Sequence, residues 1–493
     1  MSNILDAFNR RFSTESEGGE ETGFSGGVNP EHNDSGIEIS EDGETLSASE
    51  TLEGIVIQEQ EEEAQVDEAI EQHDEIEQTA EAVESFLTAS IEARQAGQYW
   101  SAQTAAMTER GLQAIMLASG GSADFKVRQL AGENFSGRRD AESAMISFEN
   151  AVTDMLKNLW QKLKDMLKKI YRKVRDFFTK HFSAVGMLKK RAEAIKKKAQ
   201  NLDRAPGSKK ITCASIDQIK IDGKEPGADK IVSAMNLYTK ALGNLTSGQT
   251  VSTYSDGLDK LSDVVEDHKL WRIGDLTLED GDKAYNELSK KVAKLFSTSE
   301  MPEIKNQVKA ADTQFAVVKT GNKEEGRYTD TLPGEVVLLF VEHKMPANQY
   351  AIKVSDVKNH LANTRLLITL AKEKTKEYQT DREVKPLTVA EILNISTSVV
   401  DFCEEALQFK NAYEKYEKAN DRFIAKMDKI ANGRAGNDDD NEQQRARMAI
   451  ASGASAFSKN VISWIKSINS HGVRTGRASL DFCNASLNAP RKD

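Results

Sequence analysis

The stretch of sequence that decides the fold is residues 151–182, AVTDMLKNLWQKLKDMLKKIYRKVRDFFTKHF. Apolar side chains recur in it every three or four residues, beginning at Val152 and reaching Phe177, the spacing that places them on one face of an α-helix. The stretch therefore predicts a long amphipathic helix. The opposite face, called the basic face below, carries Lys157, Lys162, Lys164, Lys168, Lys169, Arg172, Lys173 and Arg175.

Charge is divided unevenly along the 493 residues. Residues 151–200 hold 15 Lys and Arg against 4 Asp and Glu, a net of +11. Residues 1–84 hold 25 Asp and Glu against 2 Lys and Arg, a net of −23, so the rest of the chain is +11 although the whole chain is −12. An acidic leader repels nucleic acid, whereas the body that follows it tolerates or attracts nucleic acid.

The basic face has three functional interpretations: a helix on a membrane surface, a helix that contacts nucleic acid, or a docking helix for an acidic partner. The alternative is a core helix whose charged side is merely solvated, as in most amphipathic helices. Ordinary exposed faces mix both signs of charge, so the excess of cations favours a binding role.

The rest of the chain predicts a mainly α protein with a small β element (α+β) and a disordered acidic N-terminus. Roughly residues 1–60 are too poor in apolar side chains to offset the entropy of ordering the chain. The expected organisation is 1–84, an acidic, largely disordered leader; 85–205, a helical domain with the basic helix; 208–355, a mixed α+β region; and 356–493, a C-terminal helical region with a polar linker near 432–441.

Finer predictions follow from local signals. Gly97 breaks a helical pair, and Gly186 marks a hinge in the basic helix. The apolar, β-branched run at 335–342 predicts a strand in a sheet of about three strands. Helices are expected at about 355–379, 388–432 and 440–472, and the last twenty residues are expected to form a loose tail.

Patterns for catalysis and ligand binding are missing from the sequence. The seven histidines form neither HExxH nor a pair at metal-ligand spacing, and no nucleotide-binding or nucleophile motif occurs. Cys213, Cys403 and Cys483 are too far apart for a zinc pattern and are expected to be buried. No apolar run is long enough for a membrane span. We therefore expect no enzyme activity, no cofactor and no metal.

The acidic leader is either a solubilising tail or an intramolecular mimic of nucleic acid that shields the basic body until it is removed. Tripeptides of the form small-x-Glu end at Glu50, Glu71 and Glu84. Such tripeptides also arise by chance in a segment so rich in Glu. Ala82-Val83-Glu84 stands out because the sign of the charge changes there.

The layout resembles that of the internal head or prohead core proteins of large-genome tailed bacteriophages. The features that carry the resemblance are a Glu-rich leader ending in Ala-x-Glu, the block Glu84-Ser85-Phe86-Leu87 and the basic helix at 155–178. Leu332-Pro333-Gly334 before an apolar strand is a further similarity.

The resemblance implies a virion structural protein that assembles in the host cytoplasm with capsid and other core proteins. It implies that a prohead protease cuts after small-or-apolar-x-Glu, with Glu84 as the cut residue and Glu50 and Glu71 as further candidates. It also implies that the body stays in the virion interior with packaged DNA. Because no base-reading fold is visible in the sequence, we expect this binding to be non-specific.

Two other functions stay open at this point. A membrane-active protein would use the amphipathic helix at 151–182 on a lipid surface. An enzyme would need a site that the sequence does not reveal, within residues 208–355.

Overall fold

The computed structural model describes most of the chain after residue 44. The described residues are 45–118, 138–202, 209–246, 256–257, 259, 270–273, 275–279, 290–309, 315, 318, 324–344, 351–371, 383–431 and 438–489. Ser49–Asp493 form one compact unit. The disorder predicted for residues 1–44 lies outside the described residues, and the predicted four-part division stays a prediction.

Helices make up most of the described part of the chain. They are α1 Thr45–Gln95, α2 Ala102–Ala118, α3 Arg138–Gln200, α4 Ala228–Thr246, α5 Lys291–Lys294, α6 Val354–Asn363, α7 Val389–Ala431 and α8 Asp438–Leu487, with a 3-10 helix at Ala214–Gln218. The prediction of a mainly α fold with a small β element is confirmed.

The predicted long amphipathic helix is α3. Its apolar row, including Val152, Leu163 and Phe177, is buried and packs mainly on α7 and α8. The ring centroid of Phe178 lies 5.0 Å from that of Phe409 and 5.4 Å from that of Tyr413, both on α7. Burial of this apolar face is what stabilises a helix of 63 residues.

The two glycines predicted to interrupt helices behave differently. Gly97 has a φ of 71° and follows the end of α1, as predicted, since glycine adopts this left-handed conformation without a steric penalty. The hinge predicted at Gly186 is wrong, because α3 continues through it to Gln200. Val185 and Leu188 beside it are buried and keep the helix in register.

Two segments of the chain are more ordered than predicted. Residues 45–60, predicted to be disordered, form the first turns of α1, where Glu and Gln between spaced apolar residues favour a helix. The tail predicted for the last twenty residues is also wrong, because α8 continues to Leu487. Leu480, Phe482 and Cys483 in that stretch are fully buried. The predicted linker near 432–441 is helical from Asp438 onward.

The strands form three small antiparallel sheets. The strands are β1 Ile211–Thr212, β2 Leu270–Ile273, β3 Asp275–Glu279, β4 Asn306–Gln307, β5 Glu324–Tyr328, β6 Val336–His343, β7 Ala351–Lys353, β8 Arg365–Leu370 and β9 Glu383–Val384. Their orders are β1-β9, β2-β3-β7 and β4-β5-β6-β8.

Strand β6 is apolar from Val336 to Val341 because this part is buried on both sides. Leu338 and Phe340 belong to the main core, whereas Val337, Leu339 and Val341 belong to a second, smaller apolar cluster. The expectation of a helix over 355–379 is wrong at β8, which pairs with β6 from Val341↔Arg365 to Val336↔Leu370. Its run of Leu and Ile suits a strand next to a buried neighbour.

The three cysteines are free and buried, as predicted. No helix in the described part of the chain combines the length and the apolar character that a membrane crossing requires.

Close packing between α8 and α7 predicts a strong effect of a single methyl group. A Cβ atom on Gly472 would overlap the fully buried ring of Phe402. We expect Gly472→Ala to lower the free energy of unfolding by about 2–3 kcal/mol. Chemical denaturation would measure the loss.

Gly186→Ala is the matched control. A Cβ atom on Gly186 would meet no heavy atom within 4 Å. Because alanine favours a helix more than glycine does, this change should raise the free energy of unfolding by about 0.5–1 kcal/mol. Equal effects of the two substitutions would contradict the packing described for Gly472.

Candidate functional site

The acidic helix α1 lies against the body of the protein through a narrow row of buried side chains. Val66, Ala69, Val83 and Leu87 are at most 1% exposed, and His73 on the same side is fully buried. Successive members are three, four, ten and four residues apart, and all of these intervals are sums of threes and fours, so the residues share one face of the helix. Carboxylates flank this face, and they meet cations of α3, α6 and α8.

On one flank, α1 contacts the basic helix α3. Lys180 donates from Nζ to Glu62 Oε1 at 2.7 Å, and Lys169 donates from Nζ to Gln72 Oε1 at 2.9 Å. Lys173, between them, donates to the side chain of Gln65. As residue numbers rise along α1 they fall along α3, so the two helices run antiparallel.

On the other flank, α1 contacts cations of α8. Arg474 pairs with Glu63, Lys466 pairs with Asp67, and Lys459 pairs with Asp74. Numbers again rise on one helix while they fall on the other, so α1 is antiparallel to α8 as well. The side chains of Lys466 and Lys459 are only 2% and 7% exposed. Both ammonium groups therefore depend on α1 for compensation of their charge.

A cation of a third helix, α6, meets α1 at Glu84, where the charge of the sequence changes sign. Lys358 of α6 donates from Nζ to Glu84 Oε2 at 2.8 Å and lies 3.7 Å from Glu81 Oε1. Burial disfavours the charged form of Lys358, but the carboxylates of Glu84 and Glu81 outweigh burial and raise its pKa. Burial also raises the pKa of Glu77 to about 7, although nearby Lys459 opposes the shift.

We call Glu62, Glu63, Asp67, Asp74, Glu77, Glu81 and Glu84 together the acidic row. Each member lies within 4.0 Å of a lysine or arginine side chain of α3, α6 or α8. The row therefore belongs to the folded body of the protein.

The residues of the predicted basic face divide into two sets. Lys162, Lys168 and Arg172 are exposed. Lys164 binds Asp428 of α7 at 2.7 Å, and Arg175, although its side chain is 56% exposed, lies 3.9 Å from Glu417 of α7. The others contact neighbouring side chains as well: Lys157 contacts Asp154 at 3.4 Å, Lys169 contacts Gln72, and Lys173 contacts Gln65.

The sequence alternative of a membrane-surface helix requires the apolar face of α3. That face is buried against α7 and α8, and a membrane would reach it only if α3 left the body of the protein. The exposed part of α3 is its cationic side, which suits a polyanion better than a lipid interior.

The candidate cleavage residues lie at different depths along α1. Val83 is fully buried, Ala82 is half-buried, and Glu84 holds Lys358. Glu71 is exposed but lies inside the same helix. Glu50 lies within two turns of the first residue of α1, Thr45. Proteases bind extended chain, so a cut requires fewer residues to unwind near the end of a helix than inside it.

The cations of α8 were not found from the sequence. Lys459 and Lys466 are seven residues apart, and Arg474 follows eight residues later, so all three recur on one side of a helix. That spacing was the available signal. It was hidden because serines, asparagines and alanines surround these cations and resemble an exposed surface.

A solvent-open groove of about 930 Å³ lies beside α8, and it is where an enzyme site would be sought. His471 and Asp217 both line it. His471 Nε2 lies 3.3 Å from the carbonyl oxygen of Pro333, and Lys220 Nζ lies 3.0 Å from Asp217 Oδ1. These contacts tie both groups to the scaffold.

The buried lysine Lys466 provides a test of the acidic row. The double change Glu63→Gln and Asp67→Asn leaves its ammonium without a carboxylate. We expect the free energy of unfolding to fall by about 2 kcal/mol, less than for a fully buried pair because Asp67 is 61% exposed. Urea denaturation at neutral pH would measure the loss.

The control for this test is Glu61→Gln with Glu68→Gln, which removes the same charge from exposed positions of α1. It should change stability by no more than about 0.5 kcal/mol. Adding Lys466→Met to the first pair should restore much of the loss. If Lys466→Met restored no stability, the unpaired charge of Lys466 would not be the cause of the loss.

A family model described as phiKZ-like phage internal head proteins matches residues 47–485 of the chain. Neither the curated proteins nor the solved structures gave a match.

Proposed function

Since the chain belongs to the family of phiKZ-like phage internal head proteins, we propose that it is a non-enzymatic component of the head core that is trimmed by a protease and then resides with packaged DNA. Its place in the virion interior and its structural role follow from the family. Trimming, DNA contact and assembly in the host cytoplasm with capsid and other core proteins are the proposal. The observation that carries it is the division of the α3 cations into a set that contacts side chains of the chain itself and an exposed set formed by Lys162, Lys168 and Arg172.

The cut that fits the geometry best follows Glu50. The family match begins at residue 47 and the compact unit begins at Ser49, so Ala48-Ser49-Glu50 lies at the start of both. A cut after Glu84 would remove the acidic row and leave Lys466 and Lys459 buried without carboxylates. Such a loss would destabilise the body that is meant to remain.

The choice of cut changes the charge of the product. Residues 1–50 hold 12 Asp and Glu against 2 Lys and Arg, so residues 51–493 have a net charge of −2. Removal of residues 1–84 would give +11 instead. With a cut after Glu50, contact with DNA depends on local exposed cations and not on the net charge of the product.

The exposed set on α3 supplies those cations. Lys162, Lys168 and Arg172 are four to six residues apart on an exposed side of one helix. Phosphate contacts by such side chains release counterions and carry no base specificity. We therefore infer non-specific, salt-dependent binding to the DNA backbone.

Processing is tested on protein recovered from purified virions. Mass spectrometry of the N-terminus should find a chain that begins at Thr51. Glu50→Ala should leave the leader attached, whereas Glu71→Ala and Glu84→Ala should be processed normally. A chain that begins at Ser85, or the full-length chain in mature particles, would refute this cut.

DNA contact is tested with the purified chain and a short duplex at low ionic strength. Lys162→Gln, Lys168→Gln and Arg172→Gln together should reduce the steepness of the salt dependence by about 2–3 counterions. The control triple, Lys209→Gln, Lys210→Gln and Lys224→Gln, removes equal charge from exposed positions elsewhere. An equal loss of binding in both triples would indicate an effect of net charge alone.

A further inference from the structure

We propose that His73, Asp74 and Glu77 of α1 form a binding site for one divalent transition-metal ion of the zinc class. This set is called the His73 site below. It rests on the geometry of α1 and α8 and is independent of the proposed processing and DNA contact.

The spacing of the three residues brings their ligand atoms together. Residues four apart lie one above the other on a helix, so His73 and Glu77 share a face and Asp74 borders it. His73 Nδ1 is 3.8 Å from Asp74 Oδ1 and 4.0 Å from Glu77 Oε2. One ligand atom from each residue lies within 4.8 Å of the others. Small side-chain rotations would place all three at about 2.0–2.2 Å from one zinc ion.

The second observation is a pair of buried polar atoms, one on His73 and one on Glu77, that lack a hydrogen-bond partner within the described residues. His73 is fully buried, and its Nδ1 atom has no hydrogen-bond partner in the described part of the chain. Glu77 Oε1 is also buried and has no hydrogen-bond partner within those residues. Buried polar groups of this kind are rare in native proteins, and a bound ion is one of the recognised reasons for them.

The orientation of the imidazole ring is set from α8. His73 Nε2 lies 3.2 Å from Ser455 Oγ. When Nε2 donates to this hydroxyl, Nδ1 presents its lone pair to the space between the carboxylates. An outer hydrogen bond of this kind is the usual arrangement for a histidine that binds a metal.

Lys459 supplies positive charge to the same carboxylates. Its ammonium contacts Asp74 and lies 3.8 Å from Glu77 Oε2, and its side chain is 7% exposed. A divalent ion and this ammonium compete for the two carboxylates, so metal binding requires Lys459 to move aside. Lys459 is therefore the residue that limits affinity.

The ligand set indicates the class of metal. Magnesium and calcium prefer all-oxygen sites, whereas one imidazole nitrogen with two carboxylates suits zinc and its first-row neighbours. Water would complete the coordination, since the chain provides three ligands. All three ligands belong to α1, so the ion would take over from Lys459 the neutralisation of the carboxylates that face α8.

The test uses the full-length chain after treatment with a chelator. Isothermal titration with zinc chloride should show one saturable site, and zinc should raise the thermal unfolding temperature. Cobalt(II) should give visible absorption bands of a low-coordinate site. His73→Gln should weaken zinc binding by about tenfold or more and remove the bands. Glu75→Gln, which removes an exposed carboxylate of α1, should bind as the wild type does.

Lys459→Met keeps the test decisive if His73→Gln disturbs the fold. It should lower the unfolding temperature without metal, bind zinc about tenfold more tightly than the wild type, and regain stability when zinc is added. The proposal is overturned if neither the wild type nor Lys459→Met shows a saturable site. It is also overturned if zinc binding by His73→Gln equals that of the wild type.

Discussion

The fold depends on hydrogen bonds and salt bridges between the buried polar side chains of α8 and the helices around it. This helix is enclosed by α1, α3, α4, α6 and α7, yet it carries serines, asparagines and lysines on its buried sides. Ser458 Oγ donates to Asn420 of α7 at 2.6 Å, so the hydroxyl of Tyr171 on α3 donates to Ser458 at 2.5 Å. Asn469 accepts from His181 of α3 at 3.1 Å. Since an unsatisfied buried group costs more than a hydrogen bond contributes, these contacts determine the register of the helices around α8.

The parts of the fold that could be predicted are those whose sequence pattern lies within a single segment. The helix α3 was predictable because its apolar row repeats within the segment itself, and so was the strand at β6. The last helix was predicted to end at residue 472, whereas it continues to Leu487. Ser479, Ser486 and their neighbours resemble a polar tail in the sequence. Their partners are distant in sequence: Ser486 accepts from the backbone N–H of Leu387. No periodicity within one segment reports such a partner.

The candidate site shows the same division. The eight cations of the basic face were predictable as one side of one helix, since helical spacing is local. Which of them stay exposed was not predictable, because Lys164 meets a carboxylate of α7, 264 residues away. The net charge of +11 for residues 85–493 described an isolated body, whereas the folded chain keeps much of that charge beside the acidic row of α1. In this internal head protein, the cations that are paired inside the fold are not available to bind other molecules, and only the exposed cations are.

The antiparallel arrangement of α1 and α8 has a mechanical consequence. The first pair, Glu63 with Arg474, lies nearest to the N-terminal end of α1, and the pairs at Lys466 and Lys459 follow in order. A force that pulls that end away from α8 would break these salt bridges one after another, beginning with Glu63 and Arg474. A force along the axes of both helices would strain them together. The same set of pairs thus resists sliding far better than it resists peeling, and the direction of a pull decides how readily the acidic helix comes away.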